Sequence, residues 1–148
     1  DVDALDRLLR ISVETKNIEI FMKYYQHAIH TYMETNEKEY MEYIVQTAPH
    51  LPGENSLRVL NFICLHSPSS SILFLFGSVL HQKKQFKKAI SIYQNSLVLD
   101  KNADVYHNLG IAFWQNNQKE EANDILVKGI KNFPQDKDMK KTLEMISN

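Results

Sequence analysis

A single cysteine, Cys64, excludes an internal disulfide in this 148-residue chain. Charge of one sign is missing too: 17 Lys and Arg stand against 18 Asp and Glu, for a net charge of -1. Phosphate backbones are gripped by clustered cations, so this balance argues against nucleic acid as a partner. The densest basic cluster, Lys83, Lys84, Lys87 and Lys88, flanks a turn and reads as solvated surface. No apolar run reaches the roughly 18 residues that cross a bilayer, and the greasiest stretch, Ser71 to Leu80, reads as a buried helix. Membrane is therefore excluded as a partner, and a cytoplasmic location is expected. The chain opens at Asp1 without Met and without a recognisable leader, which reads as a piece cut from something longer.

Chemistry-bearing patterns are equally scarce. There is no G-x-x-x-x-G-K-[ST], G-x-G-x-x-G, G-x-S-x-G, H-E-x-x-H or paired C-x-x-C. Cys64 falls in the stripe Leu57, Leu60, Ile63 of an expected helix, where a thiol behaves as a small hydrophobe. A nucleophile needs a base beside it, and His66, two residues on, points elsewhere around the helix. His27 and His30 share a helix face with Glu34, but a closed zinc site wants four ligands and usually cysteine among them. No catalytic residue, metal ligand or cofactor site is assigned, and the chain is expected not to be an enzyme.

What is there is a repeat. Leu73, Phe76, Gly77, Leu80, Phe86, Ala89 and Tyr93 return 33 residues later as Tyr106, Leu109, Gly110, Phe113, Lys119, Ala122 and Leu126. All but the Phe86/Lys119 pair keep apolar or small character. A period in the thirties with two helices per period means hairpins that bury their apolar faces against one another. Glycine in mid-helix costs about 1 kcal/mol relative to alanine, so Gly77 and Gly110 read as close-approach points, with Ala89 and Ala122 opposite them.

One further step of 33 toward the N-terminus places Tyr40, Tyr43, Ile44, Ser56, Ile63 and Pro68 in register. Ile44 replaces the glycine, and Pro49, Pro52 and Gly53 crowd the turn, so residues 37–69 read as a degenerate repeat with a kinked turn. Before them, Leu5, Leu8, Leu9 and Ser12 behind an Asp3 cap, and a second stripe from Ile18 to Met33, predict a helical pair over 1–36. After Pro134, Asp136 is placed to cap a last helix whose apolar positions are Met139, Leu143 and Ile146. Its polar remainder suits a terminal cap.

The second copy, Tyr106-x2-Leu109-Gly110-x2-Phe113, then Ala122-x3-Leu126 and Pro134, resembles the tetratricopeptide pattern. The first copy fits with Leu73 at the first aromatic position and Lys101 where that family prefers proline. The resemblance covers about half the chain. It implies an all-α, right-handed superhelix of stacked antiparallel helix hairpins, in one domain: helical pair 1–36, degenerate repeat 37–69, repeats 70–102 and 103–135, and capping helix 136–148.

It also implies where a ligand would lie, because the first helix of each hairpin lines the concave side in that family. The groove positions are then Phe74, Leu75, Ser78 and His81 in one repeat and His107, Asn108, Ile111, Trp114 and Gln115 in the next, flanked by Ser71, Gln82 and Asp104. In the degenerate repeat their counterparts are Lys38, Met41, Glu42, Val45, Ala48 and Pro49. Of the Lys, Arg and Asn with which some members clamp a chaperone's terminal carboxylate, only Asn108 is matched. The expected partner is a protein or peptide held by the apolar centre Phe74, Leu75, Ile111 and Trp114. The alternative is a structural segment that self-associates, or packs on helix 18–35 or another domain of a parent chain.

Overall fold

The computed structural model describes residues 2–15 and 17–148, leaving aside the side chains of Val13 and Met41. Among them every regular element is helical: α1 (Val2–Thr15), α2 (Ile18–Thr35), α3 (Lys38–Thr47), a 3-10 turn (Ala48–His50), α4 (Asn55–His66), α5 (Ser70–Gln82), α6 (Phe86–Leu99), α7 (Ala103–Gln115), α8 (Lys119–Asn132) and α9 (Lys137–Ser147). The fold is all-α and of helical-repeat type. It divides into two compact units, Asp1–Ser67 and Pro68–Asn148.

In the second unit the 33-residue phase is written into the backbone. α5 and α7 begin 33 residues apart, at Ser70 and Ala103. Each is preceded by a polar residue that caps it: Ser69 Oγ accepts from the Ile72 amide at 3.2 Å, and Asn102 Oδ1 accepts from the Asp104 amide at 2.8 Å. These side chains satisfy amides that have no partner inside the first helical turn. Both hairpin turns close on a residue in the left-handed region, Lys84 (φ 59°) and Asn117 (φ 62°), again one period apart. Behind them the Gln85 amide donates to the Leu80 carbonyl and the Gln118 amide to the Phe113 carbonyl, both at 2.9 Å. α5 packs on α6, α6 on α7, α7 on α8, and α8 and α7 on α9.

The glycines sit where the helices meet. A Cβ on Gly77 would lie 2.6 Å from the Tyr93 ring, and one on Gly110 would lie 2.6 Å from Leu126 Cγ. The same contact is made twice, one period apart, by residues the repeat pattern pairs. Ala89, Tyr93, Leu109, Ala122 and Leu126 are fully buried. Lys119, the odd member of its pair, is exposed at the start of α8 while Phe86 is half-buried at the start of α6.

α9 closes the second unit as expected. Asp136 Oδ1 accepts from the Met139 amide at 2.8 Å, and the fully buried Met139 packs with Tyr106 and Leu126. Leu143 and Ile146 lie at the edge of that cluster.

In the first unit, α1 begins at Val2, so Asp3 lies in its first turn rather than at the cap position. A carboxylate there still faces the positive end of the helix dipole. α2 spans Ile18–Thr35, as its stripe predicts, and buries Phe21, Tyr25, Ala28 and Ile29. The Tyr25 hydroxyl, 2.8 Å from Thr47 Oγ1, donates to the Ile44 carbonyl at 3.1 Å, which ties α2 to α3. α2 ends in a left-handed Asn36 (φ 56°). Of the register positions of the degenerate repeat, Tyr43, Ile44, Ser56 and Ile63 are buried, Tyr40 is half-buried and Pro68 is exposed. With Ile44 at the glycine position, α3 and α4 make no close approach comparable to that of α5 and α6. Instead α4 packs on the 3-10 turn at Ala48–His50.

Candidate functional site

α5 and α7 lie side by side in the second unit, and the residues expected to line a groove lie on these two helices. Trp114 and Gln115 are exposed, and Phe74, Leu75, Ser78, His81, His107, Asn108 and Ile111 are half-buried. Of the flanking positions, Ser71, Gln82 and Asp104 are exposed. In the degenerate repeat Lys38, Glu42 and Val45 are exposed, Ala48 is buried and Pro49 is half-buried, while the Met41 side chain lies outside the described residues.

The apolar members differ in how far they are committed to the core. The Phe74 ring sits 6.0 Å from the Tyr93 ring, so one side of it already rests on α6. Trp114 retains 38% of its surface. It is the large apolar side chain of α7 left facing water, because the core positions of that helix are taken by Val105, Tyr106, Leu109, Ala112 and Phe113.

The polar members are tied to one another. His81 Nε2 donates to Gln115 Oε1, linking the last turns of α5 and α7. His81 Nδ1 lies 3.5 Å from the Tyr93 hydroxyl. Tyr93 also reaches Ser78 Oγ at 3.4 Å and interacts with Asn108. Burial pushes the Tyr93 phenol above its ordinary range, and the bonds to Ser78 and Asn108 oppose that rise. The phenol therefore stays protonated and acts as a donor. Ser78 in turn donates to the Phe74 carbonyl at 2.9 Å, a bond within its own helix. Its proton is thereby committed. His107 faces the other way, toward the end of the unit, with Nε2 2.8 Å from Thr142 Oγ1 of α9.

Reading the chain residue by residue misses this network. The signal that finds it is the period itself: His81 and Gln115 are 34 residues apart, and His107 and Thr142 are 35 apart. Residues one period plus one or two apart face each other on successive first helices. Asn108, read as a residue for a ligand's backbone or for polar groups between helices, bonds to Tyr93 of α6.

The other polar candidates belong to the first unit. His27 and His30 are exposed on α2, and His30 Nε2 lies 3.9 Å from Glu34 Oε1. No three potential metal ligands converge among the described residues. Cys64 is half-buried on α4, and burial pushes its thiol up to about 11, away from the reactive thiolate. No helix among the described residues is long and apolar enough to cross a membrane.

The Tetratricopeptide repeat family pattern matches residues 70–102 and again 103–136. Residues 70–136 form two tetratricopeptide repeats. Their boundaries are the hairpins α5–α6 and α7–α8, whose glycine contacts and turns repeat in phase. The solved structure "MamA RS-1 ArsTM double mutant" superposes with a TM-score of 0.68 at 17% identity, covering 98% of this chain and 82% of that one. At that identity the likeness concerns the fold. No curated protein matches the chain.

Proposed function

We propose that the tetratricopeptide unit is a non-catalytic protein-interaction module, and that the α5/α7 face holds an extended peptide or a partner helix. The observation that carries this reading is the exposed Trp114, set beside half-buried Leu75 and Ile111 on a face whose underlying core is already closed. An aromatic left in water beside packed apolar neighbours is the side chain type that dominates binding energy at interfaces. The network of His81, Gln115, Tyr93, Ser78 and Asn108 ties α5, α6 and α7 together, which lowers the backbone ordering cost of binding at this face.

The test is affinity capture with the intact chain and its Trp114→Ala and Phe74→Ala variants, alongside thermal melts of each. Trp114→Ala is expected to lower partner affinity by about 30-fold or more, as removal of a central aromatic does at other interfaces, with an unchanged melt. Phe74→Ala should weaken binding with a small loss of stability, since its ring rests on Tyr93. Unfolding of both variants would show that these residues are core and end the reading. A self-associating segment is the second reading, favoured by adjacent Val98 and Leu99, 83% and 55% exposed at the end of α6. Sedimentation separates the two, with a monomer expected for the interaction module.

A further inference from the structure

The first unit holds a cavity of about 590 Å³, walled by three helices. α1 contributes Ala4, Leu5, Arg7 and Leu8, α2 contributes Tyr24, His27, Ala28 and Thr31 along one stripe, and α3 contributes Tyr40. Its size lies within the roughly 300–1,000 Å³ typical of small-molecule sites. Leu5 and Ala28 are buried and form the floor with half-buried Leu8. Tyr24 and Tyr40 are aromatic walls, and Arg7 and His27 are exposed at the rim.

The lining is one-sided in charge. Among the described residues it contains an arginine and a histidine but neither Asp nor Glu, in a chain where acids and bases are otherwise in balance. Two basic groups on adjacent turns are engaged elsewhere. Arg10 pairs with Asp6 at 2.9 Å, and His30 lies 3.9 Å from Glu34. Thr31 donates its proton to the His27 carbonyl at 3.0 Å, which leaves its hydroxyl oxygen as an acceptor only. The nitrogen donors among the lining residues are thus the Arg7 guanidinium and the His27 ring, which stand beside the Tyr24 and Tyr40 hydroxyls.

We propose that this cavity binds a small amphipathic carboxylate, with its apolar body on Leu5, Leu8 and Ala28 between the two tyrosines and its carboxylate at Arg7 and His27. The site lies wholly within the first unit and is independent of the reading of the α5/α7 face. An apolar floor alone would accept any greasy molecule of suitable size. The rim is what selects an anion, because a planar guanidinium meets a carboxylate through two parallel N–H bonds.

The experiment is calorimetric titration of the intact chain with 4-phenylbutyrate and, as the uncharged control, 4-phenylbutanol, with chemical-shift mapping of the Tyr24 and Tyr40 rings. The acid is expected to bind about fivefold more tightly than the alcohol, the size of one partly exposed ion pair. Arg7→Gln should remove that preference while leaving the alcohol's affinity in place. Arg7→Glu should invert it, so that 4-phenylbutylamine binds more tightly than 4-phenylbutyrate. Equal affinity for acid and alcohol in the wild-type chain would overturn the assignment. So would the absence of shifts at Tyr24 and Tyr40, or a preference for acid that survives in Arg7→Glu.

Discussion

Replacing Gly110 by alanine puts two effects of known sign against each other. Alanine is the better helix former by about 1 kcal/mol, so on an open helix face the change would stabilise. In this structure the new methyl would lie 2.6, 2.7 and 3.2 Å from Leu126 Cγ, Cδ2 and Cδ1. Carbon atoms in good contact stand about 3.5–4.0 Å apart, so the overlap is about 1 Å with the branched centre of a side chain that has no exposed surface. Overpacking of this kind costs roughly 1–3 kcal/mol. The balance is a net destabilisation of up to about 2 kcal/mol, or several degrees in the melting temperature of a unit this size. Gly77→Ala meets Tyr93 ring carbons at 2.6 Å and should behave alike. The assay is thermal melting of the intact chain by circular dichroism, with hydrogen exchange to localise the loss to α5–α9. The decisive control is a double-mutant cycle. Leu126→Ala alone opens a cavity and costs about 2–5 kcal/mol, but in that background Gly110→Ala should turn neutral or stabilising, because the clashing atoms are gone. If Gly110→Ala stabilises the wild-type chain, the helices do not approach closely at this point and the stacking argument fails.

Four further outcomes follow from single sites. Lys84→Gly or Lys84→Asn should stabilise by about 0.5–1 kcal/mol, because a branched-free backbone or an asparagine tolerates the left-handed φ of 59° that lysine adopts at a cost; an unchanged melt would argue against that turn. Ser56→Ala should be neutral or stabilising by about 1 kcal/mol, because its buried hydroxyl lacks a hydrogen-bond partner and alanine holds the same register position as Ala89 and Ala122. Tyr25→Phe should cost about 1–2 kcal/mol by chemical denaturation, since it strips the donor from the Ile44 carbonyl. Finally, the Cys64 thiol and the Tyr43 phenol are raised by burial from 9.0 to about 11 and from 10.0 to about 12. Groups whose folded values are raised contribute stability that is complete below the unfolded values and lost as pH climbs through the folded ones. Stability should therefore be level to about pH 8 and fall between about pH 9 and 12, and Cys64 should react with a disulfide reagent at pH 8 roughly a hundredfold more slowly folded than unfolded.

The phase of the second unit was legible in the sequence because it rests on residues with no substitute. Only a glycine admits the Tyr93 ring or Leu126 at the helix crossing, so Gly77 and Gly110 mark the same contact twice. The last helix was legible for the same kind of reason: Asp136 meets the need for an N-cap acceptor and Met139 the need for an apolar plug, and both roles are filled by the residues expected. Asp3 was a weaker signal, because a carboxylate is nearly as favourable inside the first turn as before it, and α1 begins one residue ahead of it. The left-handed Lys84 left no trace in composition, since lysine carries no preference for that conformation; only its alignment with Asn117, a residue that does, points to it.

The candidate face shows where a periodic reading loses resolution. Helical spacing separates core from surface: Leu109 and Phe113 are buried, while Ile111 is half-buried and Trp114 exposed. It says nothing of which surface residues bind each other. His81 and Gln115 occur in unrelated stretches of sequence, yet stacking brings them within a hydrogen bond, because successive first helices run side by side and the offset of one period plus one residue spans the gap. The polar residues of such a face are therefore spoken for by the neighbouring repeat before any partner arrives. If the proposed face is the binding surface, recognition falls chiefly to the apolar residues between them, which is why the Trp114 variant, rather than a His81 or Asn108 variant, is the one that separates binding from folding.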